Sequence, residues 1–294
     1  MIRLKVTHIL IPTDFSSTAH HAFLHAVAIA RTFGARLSIM HVRELYSHEM
    51  ILPDVMAHEL DLNQEYDRKV TENLEAWRSE AVEQGAGQVD IVLSIGRIAQ
   101  EVRNYTQEEN VDLVVMGTHG TKGVEEFFLG SNAFRVISVV KCPVLTVRAE
   151  SAVIGYKNIV VPMDDTPSSR QKLMFCSDWA KAFGAQLKLL CLCDMADQQR
   201  MKHLDAVCGQ VSEALQAENV PFSINHVEAD NNAEEAMRYA EYGDADLIII
   251  MSETETTIGG LLIGSYAQQV VNHSKIPVLT IHPEERDMPL DIFG

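Results

Sequence analysis

Apolar residues follow two patterns that alternate along the chain. Continuous apolar runs, such as residues 5–11 and 113–116, are typical of parallel strands that are buried on both faces. Residues 17–34 instead repeat apolar side chains on a helical period, and Gly34 stands where a C-cap glycine belongs. In full, the first half predicts strands at 5–11, 36–42, 88–94, 113–116 and 144–148, with helices at 17–34, 57–84, 98–108 and 131–140. This alternation predicts a parallel sheet covered on both faces by helices.

The same pattern occurs twice. The segment Ile-Leu-Ile-Pro-Thr-Asp at 9–14 returns as Ile-Val-Val-Pro-Met-Asp at 159–164, and Pro-Val-Leu-Thr at 143–146 returns at 277–280. The second copy is shorter in its middle. Ordered matches at both ends indicate a duplication. We predict two domains, residues 1–150 and residues 151–294, the second with a C-terminal tail.

Composition and charge narrow the function classes. A hydrophobic fraction of 47% and a charged fraction of 22% are typical of a globular protein. Neither a signal peptide nor an apolar run of membrane-spanning length is recognisable, so we expect a cytoplasmic protein with no membrane partner. The net charge of −17 argues against nucleic-acid binding, which needs a basic surface.

The cysteines and one histidine cluster suggest no specific site. Five cysteines argue against a disulfide framework. Cys191 and Cys193 would face the same way on a strand, but they stand in an apolar stretch. We therefore interpret them as core packing, with a metal or redox pair as the alternative. His20, His21 and His25 are interpreted as a solvated helix face, with a metal pair at His21 and His25 as the alternative. We assign no metal ligand and no catalytic residue.

Small and polar residues follow the predicted strands of the first half at their carboxyl ends, where ligands bind in such sheets. Gly117 and Gly120 come directly after the fourth strand, and nine residues later Gly130 and Ser131 open a helix. Glycines allow the backbone to approach a ligand, and a helix start attracts anions. Phosphate oxygens suit this pattern, although no Gly-Lys-Ser/Thr of a P-loop occurs.

These residues resemble the universal stress protein family, whose ATP-binding members carry G-x2-G-x9-G-S/T after the fourth strand. The Ile-Pro-Thr-Asp segment at 11–14, Gly-Arg-Ile-Ala at 96–99 and Cys-Pro-Val-Leu at 142–145 also resemble the family. The fold class implied is α/β: two tandem open parallel five-stranded sheets with helices on both faces, Rossmann-like and similar to the adenine nucleotide α-hydrolases. The family's final strands would also pair Val144–Val147 with Val278–Ile281, joining the halves as a pseudo-dimer.

The resemblance also implies a set of ATP contacts in the first domain. Pro12, Thr13 and Asp14 would lie against the adenosine, Val42 would meet the adenine through its backbone, and Met116 would line the same pocket. Gly117, His119 and Gly120 would wrap the ribose and phosphates, which Gly130, Ser131 and Asn132 would hold. Mg²⁺ would accompany the phosphates.

The second half departs from this motif. Gly117, His119 and Gly120 are replaced by Met251, Glu253 and Thr254, and Glu255 adds another carboxylate. Like charges would oppose phosphates there. We therefore expect a decayed second pocket, with a retained helix-terminus site for another ligand as the alternative.

The sequence thus favours a stress-response protein that binds one ATP per chain and assembles as a homodimer. Two alternatives stay open: a slow ATPase or nucleotidyl-transfer enzyme on the same scaffold, and a nucleotide-independent interaction protein. Since no nucleophile–base pair is apparent, at most weak ATP hydrolysis is expected.

Overall fold

A computed structural model of the chain describes residues 2–44, 53–118, 131–149, 155–164, 171–193, 198–252, 254–257 and 260–283. The first copy contains β1 His8–Pro12, α1 Ser17–Phe33, β2 Arg36–Arg43, α2 Pro53–Glu83, β3 Val89–Ile95, α3 Ile98–Glu108, β4 Leu113–Gly117, α4 Ser131–Val139 and β5 Val144–Val147. The second contains β6 Asn158–Met163, α5 Leu173–Phe183, β7 Gln186–Cys193, α6 Gln198–Ala217, β8 Phe222–Glu228, α7 Asn232–Tyr242, β9 Leu247–Met251, β10 Thr254–Thr257, β11 Gly260–Ile263, α8 Ser265–His273 and β12 Val278–Ile281.

Ten strands form one continuous sheet in the order β3-β2-β1-β4-β5-β12-β9-β6-β7-β8. Within each copy the neighbouring strands of this sheet are parallel, and β10 and β11 form a separate antiparallel pair. At the centre β5 and β12 pair antiparallel, with Leu145 opposite Leu279. The predicted α/β fold and the predicted pairing of the final strands are both confirmed, and the two five-stranded sheets merge into one.

Equivalent backbone contacts build both copies. Asp112 Oδ2 accepts hydrogen bonds from the backbone N–H groups of residues 7 and 8, at 2.7 and 3.1 Å. Asp246 Oδ2 does the same for Lys157 and Asn158, at 2.7 and 2.8 Å. Each carboxylate thus joins the residue before one strand to the start of the neighbouring strand, β1 in the first copy and β6 in the second.

The helix C-caps also repeat. Gly34 and Gly184 end α1 and α5 in the left-handed conformation, with φ of 65° and 59°. In both copies the following alanine N–H then bonds to a carbonyl of the preceding turn, at 2.9 and 2.8 Å. Only glycine adopts this conformation without a steric cost from Cβ. The prediction for Gly34 is confirmed.

The apolar core extends across both copies on each face of the sheet. On one face α1, α2, α5 and α6 cover strands of both copies, and on the other α3, α4, α7 and α8 do. Tyr156 and Trp179 are fully buried where α1 and α5 meet, and their rings pack edge to face. Among the described residues, no helix combines the length and apolar character needed to cross a membrane.

The interpretation of the first helix's histidines as a solvated face is wrong for His25. Its side chain is 1% exposed, and its Nδ1 lies 2.7 Å from the Tyr156 hydroxyl of the second copy. The helical period of α1 could not reveal this, because the partner is far away in the sequence. His20 and His21 are both half-buried. His20 pairs with Glu80 of α2 at 3.2 Å, and His21 Nδ1 lies 2.9 Å from the Ser17 carbonyl.

Candidate functional site

The strand order reverses between β1 and β4 in the first copy. From β1 the chain proceeds outward to β2 and β3, and it then returns to add β4 and β5 on the other side. Two helices leaving such a point diverge to opposite faces, which opens a crevice at the carboxyl ends of the two strands. Pro12, Thr13 and Asp14 lie at one wall of this point, and Met116 and Gly117 at the other.

The turn from β1 into α1 is held by its own side chains. Thr13 Oγ1 accepts the Phe15 N–H at 2.9 Å, and Asp14 Oδ1 accepts the Ser16 N–H at 3.0 Å. Ser16 then caps α1 by accepting the Ala19 N–H at 3.1 Å. These bonds stabilise the left-handed conformation of Phe15, whose φ is 61°. They leave Asp14 exposed beside the crevice.

His41 at the end of β2 connects this turn to α2. Its Nδ1 donates to the Thr13 carbonyl at 2.8 Å, and its Nε2 lies 2.9 Å from the Tyr66 hydroxyl. Its ring stacks on Phe15 with centroids 5.1 Å apart. The carbonyl can only accept, so Nδ1 carries a proton, and Nε2 of the neutral ring accepts from Tyr66. The sequence placed His41 at this edge but gave it no role. Its one signal was a polar side chain within a buried strand.

Tyr66 lies on the same helical period of α2 as Val70 and Leu74, but it is not buried with them. Tyr66 is 43% exposed, whereas Val70 and Leu74 are 5% and 1% exposed. Its hydroxyl lies 2.9 Å from His41 Nε2, and its ring contacts the His41 ring rather than the apolar core. A helical period separates faces of a helix, but it does not show where along its length the covered strand ends.

Gly117 makes a contact that the sequence did not suggest. A Cβ built on Gly117 would lie 3.0 Å from Thr18 Cγ2 and 3.1 Å from the backbone C and O atoms of Thr18. The glycine therefore allows the first turn of α1 to approach the end of β4. The sequence pattern predicts that this glycine lets a ligand approach the backbone. Its packing against α1 is a second, independent requirement for glycine at this position.

The remaining predicted residues divide into those with described surroundings and those without. Val42 and Met116 are 8% and 6% exposed, and their side chains belong to the core on the α3 and α4 face. A ligand at this edge would therefore meet Val42 through its backbone. Ser131 begins α4 and the half-buried Asn132 follows it. His119, Gly120 and Gly130 lie outside the described residues.

The corresponding edge of the second copy keeps the backbone path. Thr118 N–H donates to the Val147 carbonyl at 3.0 Å, and Ser252 N–H donates to the Ile281 carbonyl at 2.8 Å. Met251, which replaces the first glycine, is buried in the core at 6% exposure. The side chain at this position is therefore part of the packing of the second copy.

A buried lysine lies near the end of β6, where the strand order of the second copy reverses between β6 and β9. Lys172 is 3% exposed, and its Nζ donates to the Pro162 carbonyl near the end of β6 at 2.6 Å. Burial lowers the pKa of Lys172, while nearby Asp164 opposes this change. The matching residue of the first copy is Ala22. The signal for this difference in the sequence is a lysine directly before an apolar helical run.

Comparisons with known proteins agree with this geometry. The model of the universal stress protein family matches the chain twice, at residues 5–148 and 155–282. The chain therefore belongs to the universal stress protein family, and both copies carry the family's domain. The family predicted from the glycine pattern is confirmed.

Individual relatives match one copy or both. Universal stress protein YxiE of Bacillus subtilis is 33% identical over 144 residues, which are 47% of this chain and 97% of the relative. Universal stress protein MJ0531 of Methanocaldococcus jannaschii is 34% identical over 146 residues, covering 48% of this chain and 81% of the relative. A crystal structure of a universal stress protein from Archaeoglobus fulgidus matches with a TM-score of 0.73 at 18% identity, covering 94% of this chain and 98% of that one. The last comparison extends the fold similarity over both copies.

Proposed function

We propose that this universal stress protein binds ATP in its first copy, one molecule per chain, and acts by nucleotide-dependent binding rather than by catalysis. The observation that carries the proposal is the position of the glycine pattern. It begins at Gly117, at the carboxyl end of β4 and beside the exposed Asp14, at the point where the strand order reverses. A nucleotide-sized crevice is expected there.

The contacts proposed for the adenosine follow from this position. Asp14 is tied to the backbone by one carboxylate oxygen, so its exposed side chain is held at the crevice for the ribose or base. Val42 offers its backbone at the end of β2, because its side chain packs in the core. The phosphates would meet the start of α4, where unpaired N–H groups and the helix dipole attract anions. When bound, Mg²⁺ would neutralise part of the phosphate charge.

The second copy is proposed to lack such a site. Met251 fills the position of the first glycine with a buried side chain. Glu253 and Glu255 follow where the phosphates of a nucleotide would pass. Carboxylates at this place oppose phosphate binding.

A matched pair of charge substitutions tests the proposal. Gly130→Asp places a carboxylate directly before α4, and Gly264→Asp places one at the N-cap of α8. Aspartate favours both helix starts, so both variants are expected to fold, while the first repels phosphate. Calorimetric titration with Mg²⁺ and ATP should give one site per wild-type chain. Its affinity should fall at least tenfold in Gly130→Asp and stay unchanged in Gly264→Asp.

Two results would contradict this assignment: binding of two nucleotides per chain, or equal affinity in wild type and Gly130→Asp. Titration with adenosine alone separates the phosphate contacts from the base contacts, since Gly130→Asp should leave adenosine binding nearly unchanged. The domain boundaries at residues 150 and 151, the cytoplasmic location and the homodimer stay predictions from the sequence.

A further inference from the structure

A thiol and imidazole cluster lies between the edge of the second copy's sheet and α6. Cys191 on β7 and His226 on β8 are register partners on neighbouring parallel strands. Their side chains therefore project from the same face of the sheet. Cys208 reaches this face from α6, which covers it. Three separate elements thus bring two sulfurs and one imidazole together.

The three groups of the cluster lie close enough together to converge on one ion. The Sγ atoms of Cys191 and Cys208 lie 2.7 Å apart. One ligand atom from each of Cys191, Cys208 and His226 lies within 4.8 Å of the other two. Both sulfurs are buried, at 0% and 6% exposure, whereas the His226 side chain is 38% exposed. An ion could therefore enter from the histidine side and meet the sulfurs inside.

One further group, a carboxylate of α6, favours a cation at this place. Asp205 precedes Cys208 by one helical turn, and its Oδ1 lies 3.8 Å from His226 Nδ1. A carboxylate beside a histidine is common at metal sites, where it orients the ring or joins the ligand set.

We propose that Cys191, Cys208 and His226 bind one thiophilic divalent cation of the zinc type. A water molecule or Asp205 completes a tetrahedral set of ligands. Such a site places two thiolate sulfurs about 3.7 Å apart, with metal–sulfur bonds of about 2.3 Å. The two side chains therefore separate by about 1 Å on binding, which small rotations about their χ1 angles accommodate.

The first copy suggests what the ion does. The position matched to Cys191 is His41, which connects β2 to α2 through its hydrogen bond to Tyr66. The cation makes the equivalent connection between β7 and α6, and it adds the edge strand β8 through His226. This inference does not depend on nucleotide binding in the first copy. It replaces the sequence expectation of simple cysteine packing at Cys191 with a metal site.

Cobalt substitution tests the proposal on the full-length reduced protein. Co²⁺ added to metal-free protein should bind at one equivalent per chain and produce the near-ultraviolet charge-transfer band of thiolate ligands, which Zn²⁺ then abolishes. Cys208→Ala should remove the band, and His226→Gln should weaken Co²⁺ binding at least tenfold. The matched controls are Cys142→Ala, a cysteine of the first copy, and His203→Gln, an exposed histidine of α6.

Because Cys208 is buried, circular dichroism and the thermal midpoint establish that each metal-free variant is folded. Zn²⁺ should raise the thermal midpoint of wild type and both controls but not of folded Cys208→Ala. A charge-transfer band that persists in folded Cys208→Ala would overturn the proposal. The proposal would also fail if reduced wild type took up no Co²⁺ while protein purified in air contained a Cys191–Cys208 disulfide.

Discussion

The strand ends of the two copies share a backbone and differ in their side chains. Thr118 and Ser252 donate the same hydrogen bond to the final strand, and Asp112 and Asp246 make the same carboxylate contact to the first. At the edge itself, however, Gly117 corresponds to Met251, His41 to Cys191 and Arg148 to His282. The contacts that fix the path of the chain are kept, while the groups presented at its edge have changed.

This difference separates two requirements that coincide in a single domain. A strand end must hold the neighbouring helix in place, and it must also present groups to a ligand. Gly117 can serve both, since it packs against Thr18 and opens the glycine pattern. In the second copy Met251 keeps only the packing requirement. Substitutions at matched positions therefore measure how far the two copies differ.

The largest expected effect is at the glycine and its replacement. Met251→Ala removes most of a buried side chain and should lower the free energy of unfolding by about 2–5 kcal/mol. Gly117→Ala should cost about 1–3 kcal/mol, because its Cβ would press against the backbone of Thr18. Urea unfolding measures both values. An unchanged unfolding free energy in Gly117→Ala would show that the glycine serves only a ligand.

The next effect depends on pH and concerns His282, which stands where the first copy has Arg148. Its Nδ1 lies 2.8 Å from Ser252 Oγ, and burial lowers its pKa from 6.5 to about 4. Its neutral form is therefore favoured in the folded protein. The unfolding free energy should be unaffected by this group above pH 6.5 and should fall by up to about 3 kcal/mol as the pH drops from 6.5 to 4.

The substitution His282→Asn isolates this contribution, because an amide can keep the contact to Ser252 but does not titrate. The difference in unfolding free energy between wild type and variant should change over pH 6.5 to 4. Burial also lowers the pKa of His8, which is present in both proteins and cancels in the difference. A pH-independent difference would contradict the prediction, and the control variant His203→Gln, at an exposed position of α6, should resemble wild type.

A smaller effect is expected where the copies touch. Tyr156→Phe removes the hydroxyl that lies 2.7 Å from His25 Nδ1 in the core and should lower the unfolding free energy by about 1–3 kcal/mol. The control is Tyr242→Phe, since Tyr242 is 84% exposed and should change stability by less than about 0.5 kcal/mol. Equal stabilities for the two variants would show that the contact between the copies contributes little.

The smallest effect tests what the copies have in common. Gly34→Ala and Gly184→Ala place a Cβ at positive φ in open surroundings, apart from the flexible end of Lys157 near Gly184. Each should cost about 1–2 kcal/mol, from backbone conformation alone. Thermal or urea unfolding should give two costs that agree within about 0.5 kcal/mol. Clearly unequal costs would mean that the two helix ends differ in energy more than their similar backbone geometry indicates.

Local pattern predicted the fold better than the site. The strands and helices of the first copy follow from hydrophobic period and glycine caps, because both depend on residues close in sequence. The family's motif added the β5–β12 pairing, which no local pattern contains. Contacts between distant residues were missed: His25 with Tyr156, His41 with Tyr66, and Cys191 with Cys208. The hairpin β10–β11 was not predicted either, because residues 254–263 correspond to no predicted strand of the first copy.

The antiparallel pairing of β5 with β12 has a consequence for how this chain could diverge. Two separate identical subunits joined in this way would meet only at sufficient concentration, and every substitution would appear in both partners at once. Joined within one chain, the pairing survives dilution, because its effective concentration is fixed by the covalent link. Each half can then change independently while its counterpart preserves the shared interface. A continuous sheet formed within one molecule therefore allows the two halves to carry two different sites.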